Sequence, residues 1–381
     1  MKESELELQL LQLDSLQSAC IGCGLCLEVC ATYQASGWEH ESPRGRIQMA
    51  RQLLDNKIEA TSEALASFDR CLGCRACEVV CPTQVHYRSL RAIVQDIRQH
   101  FNSQKIINTQ QLSHFKLACK ISNRYWRRYG SKWINFDSLT LPKLSDRVAK
   151  KKLTLSSKNS INLVVGCLQD LYQRDMIAQT IRVLDQLNIG VDLQTNQNCC
   201  GAIFERINSS QAVQIYQNKC TAKFKKKLLN PSVFLATGCK NYLFNQQISV
   251  ENVLDLYELI YQKLNILHIP LKLENSLTVY YQPYCSQKGK DAALQLLASI
   301  ENLKILSVWP AKSCCGGFCG EPLFHSEQAK FLRESKWGEL PKNATVVVTS
   351  ADCWLQLSQI EGVQVVYPLE LIERCFNGKE I

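Results

Sequence analysis

Two periodicities divide the chain. In its first quarter apolar positions recur every three or four residues: RGRIQMARQLLDNK (44–57), SEALASFDRC (62–71) and HYRSLRAIVQDIRQHF (86–101). That recurrence lays one apolar stripe along a helix and predicts a mostly helical N-terminal region. Ser62 is a suitable N-cap for the second helix, although Leu65 three residues on gives no capping box. Beyond residue 161 the pattern alternates. INLVVG (161–166), VFLATG (233–238), LTVYYQPY (277–284) and TVVVTSAD (345–352) read as strands; DMIAQTIRVLDQLN (175–188), VENVLDLYELIYQKL (250–264) and DAALQLLASIENL (291–303) read as helices. Strands alternating with amphipathic helices predict an α/β region with mainly parallel sheet.

Composition leaves the fold picture alone but narrows the chemistry. With 381 residues, 46% hydrophobic and 21% charged, the chain has enough material for two domains with cores of their own, which excludes wholesale disorder. It has no apolar run of the roughly 18 residues a spanning helix needs. The start, MKESELELQLLQLDSLQ, is acidic where a secretory signal is basic and apolar, so a reducing, cytoplasmic setting is expected. Twenty cysteines stand against six histidines. A chain this long needs no disulfide staples, so these thiols point to metal or redox work, and the scarcity of histidine favours iron–sulfur over zinc. No GxGxxG follows a predicted strand, so no flavin or nicotinamide site of its own is expected.

Eight of the cysteines repeat one spacing. Cys20, Cys23, Cys26 and Cys30 form C-x2-C-x2-C-x3-C, and Cys71, Cys74, Cys77 and Cys81 form it again, followed by Pro82. This is two-cluster ferredoxin spacing, in which the first three thiolates hold three corners of one cube and the fourth reaches the other. Two [4Fe–4S] clusters are therefore predicted: cluster one on Cys20, Cys23, Cys26 and Cys81, cluster two on Cys71, Cys74, Cys77 and Cys30. Arg44 and Arg46, in ESPRGRI, either neutralise cluster charge or form a solvated helix start; the second is the expectation.

Charge separates a third segment. Residues 106–160 hold all of the basic excess, much of it in NRYWRRYGSKWINF (123–136) and RVAKKK (147–152), so the net charge of +9 is local. Such a segment suits an anionic bilayer surface, a partner subunit, or a solvated connector. Bound clusters would lower the positive charge further, and nucleic acid is not expected as a partner. The predicted division is 1–105, a helical dicluster module; 106–160, a basic connector; and 161–381, a duplicated region with halves of about 161–272 and 273–381.

The duplication is written in cysteine. Cys167, the pair Cys199–Cys200 and Cys239 in the first half correspond to Cys285, the pair Cys314–Cys315 and Cys353 in the second. Several follow predicted strands directly, where open α/β sheets bind ligands. Adjacent cysteines do not readily close an unstrained disulfide, but both can reach one metal centre from a loop that Gly201 or Gly316 lets turn. One or two further iron–sulfur clusters are accordingly expected. Cys319 reads as a packed thiol, with an extra ligand as the alternative, and Cys119, Cys220 and Cys375 as packed thiols.

With those residues in view, the halves resemble the CCG cysteine-rich domain of heterodisulfide reductase. The whole chain resembles the iron–sulfur subunits of glycolate oxidase and, less closely, of anaerobic glycerol-3-phosphate dehydrogenase. CIGCGLCLEVCATY, ESPRGRIQMARQLL, FDRCLGCRACEVVCPTQVHY, VVGCLQ, NCCGA, ATGCK, YQPYCSQ and CCGG carry the likeness. It implies an electron-transfer subunit, peripheral on the inner face of the cytoplasmic membrane. A flavoprotein dehydrogenase partner would oxidise a 2-hydroxy acid, usually glycolate, and membrane quinone would accept the electrons. It also leaves two alternatives: a thiol–disulfide redox protein of the heterodisulfide reductase kind, or the subunit of a glycerol-3-phosphate or lactate dehydrogenase. The closing C-x2-C of the heterodisulfide reductase repeat is missing here, with Lys240–Tyr242 after Cys239 and Trp354–Gln356 after Cys353, which counts against disulfide reduction.

Overall fold

A computed structural model of the chain describes residues 3–55, 57–59, 61–101, 160–194, 200–202, 218, 230–245, 252–286, 289–307 and 314–377. The N-terminal module is helical: α1 (Glu3–Ser18), α2 (Ala31–Ser36), α3 (Pro43–Leu54), α4 (Ser62–Arg70), α5 (Ala76–Val79) and α6 (Tyr87–Phe101), with a 3-10 turn at Glu39–Glu41. The apolar stripes of α1, α3, α4 and α6 meet in one core of Leu13, Ile47, Leu65, Phe68 and Leu90. Burying each such side chain stabilises the fold by roughly 1.5–3 kcal/mol.

Helix starts follow local chemistry. Ser42 caps α3, its hydroxyl accepting from the Gly45 N–H at 2.8 Å, with Pro43 at the first helical position. For α4 the cap is Thr61, not Ser62: Thr61 is extended (φ −72°, ψ 163°) and its hydroxyl accepts from the Ala64 N–H at 3.2 Å. Thr61→Ala is expected to cost about 1 kcal/mol and Ser62→Ala less, read as denaturant midpoints; equal effects would undo this placement of the cap.

The second region is α/β. Its elements are β1 (Ser160–Val164), α7 (Cys167–Tyr172), α8 (Arg174–Gln186), β2 (Gly190–Gln194), β3 (Ser232–Phe234), α9 (Thr237–Asn245), β4 (Val253–Leu254) and α10 (Leu256–Leu267). Then follow β5 (Leu271–Gln282), α11 (Ala292–Ala298), β6 (Ile300–Ser307), α12 (Glu321–Phe324), α13 (Ser326–Trp337), β7 (Thr345–Val348), α14 (Ala351–Leu357), β8 (Gln364–Val366) and α15 (Pro368–Asn377). The two sheets run β2-β1-β3-β4 and β6-β5-β7-β8, with every pairing parallel. The same strand order twice is the structural form of the duplication.

One core serves both sheets, joining Leu163, Leu184 and Val233 of the first half to Val279, Leu296 and Val346 of the second. α15 closes the join: Glu373 accepts from Gln179 Nε2 at 2.6 Å and pairs with Arg182 at 2.5 Å. Two predicted helices were too long. Residues 253–254 form edge strand β4, and Asp255 starts α10 by accepting from the Tyr257 and Glu258 N–H groups. The helix predicted over 291–303 ends at Ala298, because Ile300–Ser307 pairs with β5 instead; a parallel ladder on a central strand outweighs helix propensity over four residues. The basic stretch 106–160 falls outside the described residues except for Ser160.

Candidate metal centres

The first cysteine run leaves α1 at Cys20 and turns through Gly22 and Gly24, at φ +72° and +82°. Left-handed backbone there suits glycine, and a Cβ at Gly24 would stand 3.1 Å from the Arg44 guanidinium. Cys20, Cys23 and Cys26 line one cleft together with Cys77 and Cys81 from the second run. These soft donors are of the type, and more than the number, that a [4Fe–4S] cube needs. Burial pushes the Cys26 thiol up to about 11. Cys81 is partly buried, yet the Thr83 hydroxyl and the Val85 N–H, 3.4 Å from its sulfur, hold it below the usual thiol range. Arg44 grips Glu39 through both carboxylate oxygens, at 2.7 and 3.2 Å, and donates to Gly22 O at 3.4 Å, tying α3 to the cluster loop.

Around the second run the charge is internal. Arg46 is fully buried and no part of a solvated helix start: it pairs with Glu41 at 2.8 Å and donates to Ser67 O at 2.7 Å and to Thr32 Oγ1 at 3.2 Å. Thr32 Oγ1 in turn lies 3.2 Å from the Cys30 sulfur. Burial would push Cys71 up, but the Arg46 and Arg91 guanidiniums outweigh it and hold the thiol below its usual range. Cys77 goes the other way, raised by burial and by the charges of Glu78, Cys71 and Cys30. Cys30, Cys71 and Cys77 thus form one electrostatic neighbourhood, which reaches Cys26 of the first run as well. Cys74 meets the second region.

Its sulfur lies with those of Cys285 and Cys314, all three within 4.8 Å of one another. Cys314 is the acceptor of this set: hydrogen bonds from Cys285, Cys315 and Cys74 hold it well below the usual thiol range, and Cys285 is raised correspondingly. The Gly316 N–H donates to Cys314 Sγ at 3.5 Å and the Gly317 N–H to Cys315 Sγ at 3.4 Å. Gly316 stands at φ +89°, which lets the vicinal pair turn back on itself. Cys315 Sγ is 3.1 Å from Cys353 Sγ, on the first turn of α14. The four cysteines of the second half are therefore one chain of contacts that ends on Cys74.

In the first half Cys167 opens α7 and Cys239 lies in α9. Fully buried Gln169 fixes that corner, accepting from the Gly166 N–H and donating to Leu235 O, both at 3.1 Å. A hydrogen bond with Cys200, then burial, raises the Cys239 thiol. Cys199, Cys119 and Cys220 fall outside the described residues. Cys319 is buried at φ +53° and Cys375 packs beside the main core, where burial lifts its thiol to about 11.

Two charged groups escaped the sequence reading. Asp352 sits between the halves, accepting from the Gly320 N–H at 3.1 Å. Burial lifts its carboxyl to about 7 against that bond, and the Cys200 and Cys314 charges add to the rise. Lys336 donates to Gln282 Oε1 at 3.1 Å; burial lowers its ammonium while the charges of Cys315, Cys314 and Cys353 oppose the fall. A lone Asp before Cys353 and a Lys before Trp337 carry no motif, so only the fold reveals them.

Residues 17–85 match the 4Fe-4S dicluster domain family and residues 161–243 the Cysteine-rich domain family, CCG. The chain is 26% identical to the glycolate oxidase iron-sulfur subunit of Escherichia coli (strain K12) over 96% of both proteins. It is 24% identical to the probable glycolate oxidase iron-sulfur subunit of Bacillus subtilis (strain 168), over 89% of this chain and 87% of that one. Lactate utilization protein A of Bacillus licheniformis is 23% identical over 51% of the chain and 87% of its own length. No solved structure matches the chain significantly. Among the described residues no helix is long and apolar enough to cross a membrane. The chain thus carries a ferredoxin-like dicluster domain followed by a CCG cysteine-rich domain, and it is related at low identity to iron–sulfur subunits of the glycolate oxidase type.

Proposed function

We propose that this chain is the iron–sulfur electron-transfer subunit of a flavin-dependent 2-hydroxy-acid dehydrogenase, with glycolate as the leading substrate. In this reading a separate flavoprotein oxidises the substrate, and membrane quinone takes the electrons. The observation that carries it is the convergence of Cys20, Cys23 and Cys26 with Cys77 and Cys81 on one cleft, beside a relative of matching length named as a glycolate oxidase iron-sulfur subunit. Two [4Fe–4S] clusters, bound as cluster one on Cys20, Cys23, Cys26 and Cys81 and cluster two on Cys71, Cys74, Cys77 and Cys30, would supply one-electron carriers. The protein's part is to hold and tune them. Glycine loops bring N–H donors to sulfur, Arg46 and Arg91 offset thiolate charge at Cys71, and buried side chains keep water from the second run.

The CCG cysteines Cys167, Cys199, Cys200 and Cys239, and Cys285, Cys314, Cys315 and Cys353, are the ligands proposed for further clusters. Residues 106–160 form the basic connector between modules 1–105 and 161–381, suited to an anionic membrane face or to the partner. Protein purified without oxygen from its native membrane is expected to hold at least about eight iron and eight acid-labile sulfide per chain, and to bring a flavoprotein with it. Fewer than about four iron would overturn the two-cluster assignment; a full iron complement with no flavoprotein would overturn the dehydrogenase.

A further inference from the structure

We propose that Cys74 is a shared ligand: a corner of cluster two that also bonds, with Cys285 and Cys314, a third metal centre in the seam between the two modules. The inference rests on the cluster assignment proposed above and adds to it a joint that neither cysteine motif announces.

The geometry comes first. The three sulfurs lie within 4.8 Å of one another. Thiolates bound to one tetrahedral ion at about 2.3 Å stand about 3.8 Å apart, so small side-chain rotations bring all three onto one metal. They come from distant parts of the chain. Cys74 lies in the loop before α5, Cys285 follows β5, and Cys314 begins the glycine loop before α12. Cys285 Sγ also contacts the Cys74 carbonyl oxygen at 3.9 Å, so backbone as well as side chain is brought together across the seam.

The seam is built for sulfur rather than water. Val29, Leu72 and Ala76 of the first module and Leu332 of the second enclose Cys285 and Cys314 in a small apolar core, with Phe318 packed on it. Cys314 is 1% exposed. Helix α13 docks on the first module through Gln328, whose amide donates to Arg70 O at 2.5 Å. Negative charge gathered by the thiolates meets the Gly316 N–H, which donates to Cys314 Sγ. Converging soft donors in dry surroundings suit a metal site, whereas an ordinary apolar contact between domains needs no converging thiols.

Spacing gives Cys74 its first bond. A C-x2-C-x2-C loop needs its middle cysteine to hold a cube. A thiolate sulfur keeps lone pairs after one metal bond, so it can bridge to a second metal facing it.

The test uses the full chain, purified without oxygen, and compares Cys74→Ser, Cys77→Ser and Cys285→Ser by iron and sulfide content and by the electron paramagnetic resonance of the reduced protein. Cys74→Ser and Cys77→Ser both lose the cluster-two signal. Cys74→Ser alone of these two also loses the third-centre signal, the one that Cys285→Ser removes. Cys285→Ser leaves every predicted ligand of cluster two in place and yet shifts its spectrum, so the inference stays testable if Cys74→Ser fails to fold. Identical spectra for Cys74→Ser and Cys77→Ser, or an unshifted cluster-two signal in Cys285→Ser, would overturn the shared ligand. A wild-type chain with about eight iron and no third signal would overturn it while leaving the proposed function standing; fewer than about four iron would overturn both.

Discussion

Arg46→Met is expected to destabilise the helical module by about 3–5 kcal/mol and to deplete the iron held by cluster two. The side chain is wholly buried, yet it carries a full charge, and its partners explain how that is tolerated. It pairs with Glu41, itself 5% exposed, and donates to the Ser67 carbonyl that closes α4 and to Thr32 beside Cys30. Methionine fills the volume but strands a buried carboxylate, whose remaining cation, Arg70, is half exposed and grips the other oxygen. Losing one partner of a buried pair costs far more than the pair is worth as a whole, because the survivor keeps its desolvation. The same change removes a cation that holds the Cys71 thiol down, so ligand and scaffold weaken together. Arg46→Lys keeps the charge and loses the fork, and falls between. Arg44→Met is expected within about 1 kcal/mol of the parent, since its Glu39 partner is exposed. Anaerobic denaturation midpoints and iron content decide the matter; a midpoint for Arg46→Met matching that for Arg44→Met would sink the assignment.

Those two arginines also show where sequence stops being legible. ESPRGRI announces a helix start, and two cations at a helix start are usually solvated. Arg44 and Arg46 are two positions apart and so point to different sides of α3. Arg46 shares its side with Ala50, four residues on, which is completely buried. The stripe of Ile47 and Ala50 already marked that side as the core; reading it required setting aside the expectation that arginine is outside. Helices with a clear stripe were legible to within a few residues, as α3, α4 and α6 show. Strand β6 was not, because residues 300–303 continue an apolar helical pattern and only their pairing with β5 decides otherwise.

The cysteines divide in the same way. Which thiols belong to which run is a matter of local spacing and can be counted. Where Cys74 points is not, because its neighbours Cys285 and Cys314 arrive only when α2 and α13 dock. Sequence spacing fixes what a loop can hold, and tertiary contact fixes what it meets.

Gly317→Ala is the second large effect expected, and its cause is space alone. Gly317 stands at φ −100°, a conformation open to any residue, so no backbone strain is involved. A Cβ there would lie 2.5 Å from the Asp352 carbonyl oxygen and 2.6 Å from Gln356 Cβ, both on α14. A helix backbone cannot give way as a surface side chain does, so the glycine loop must lift off α14, at a cost of about 3 kcal/mol. Lifting it separates Cys315 from Cys353, now 3.1 Å apart across that contact, and disturbs the N–H that Gly317 gives to Cys315 Sγ. The expected result is specific. The second half loses its metal while the ferredoxin-like module keeps about eight iron, because every proposed cubane ligand, Cys74 included, lies in that module. A chain whose iron falls below that number would mean that the two modules fold as one cooperative unit. A chain that keeps all its iron and its stability would mean that the seat of this loop on α14 is not what holds the vicinal sulfurs in place.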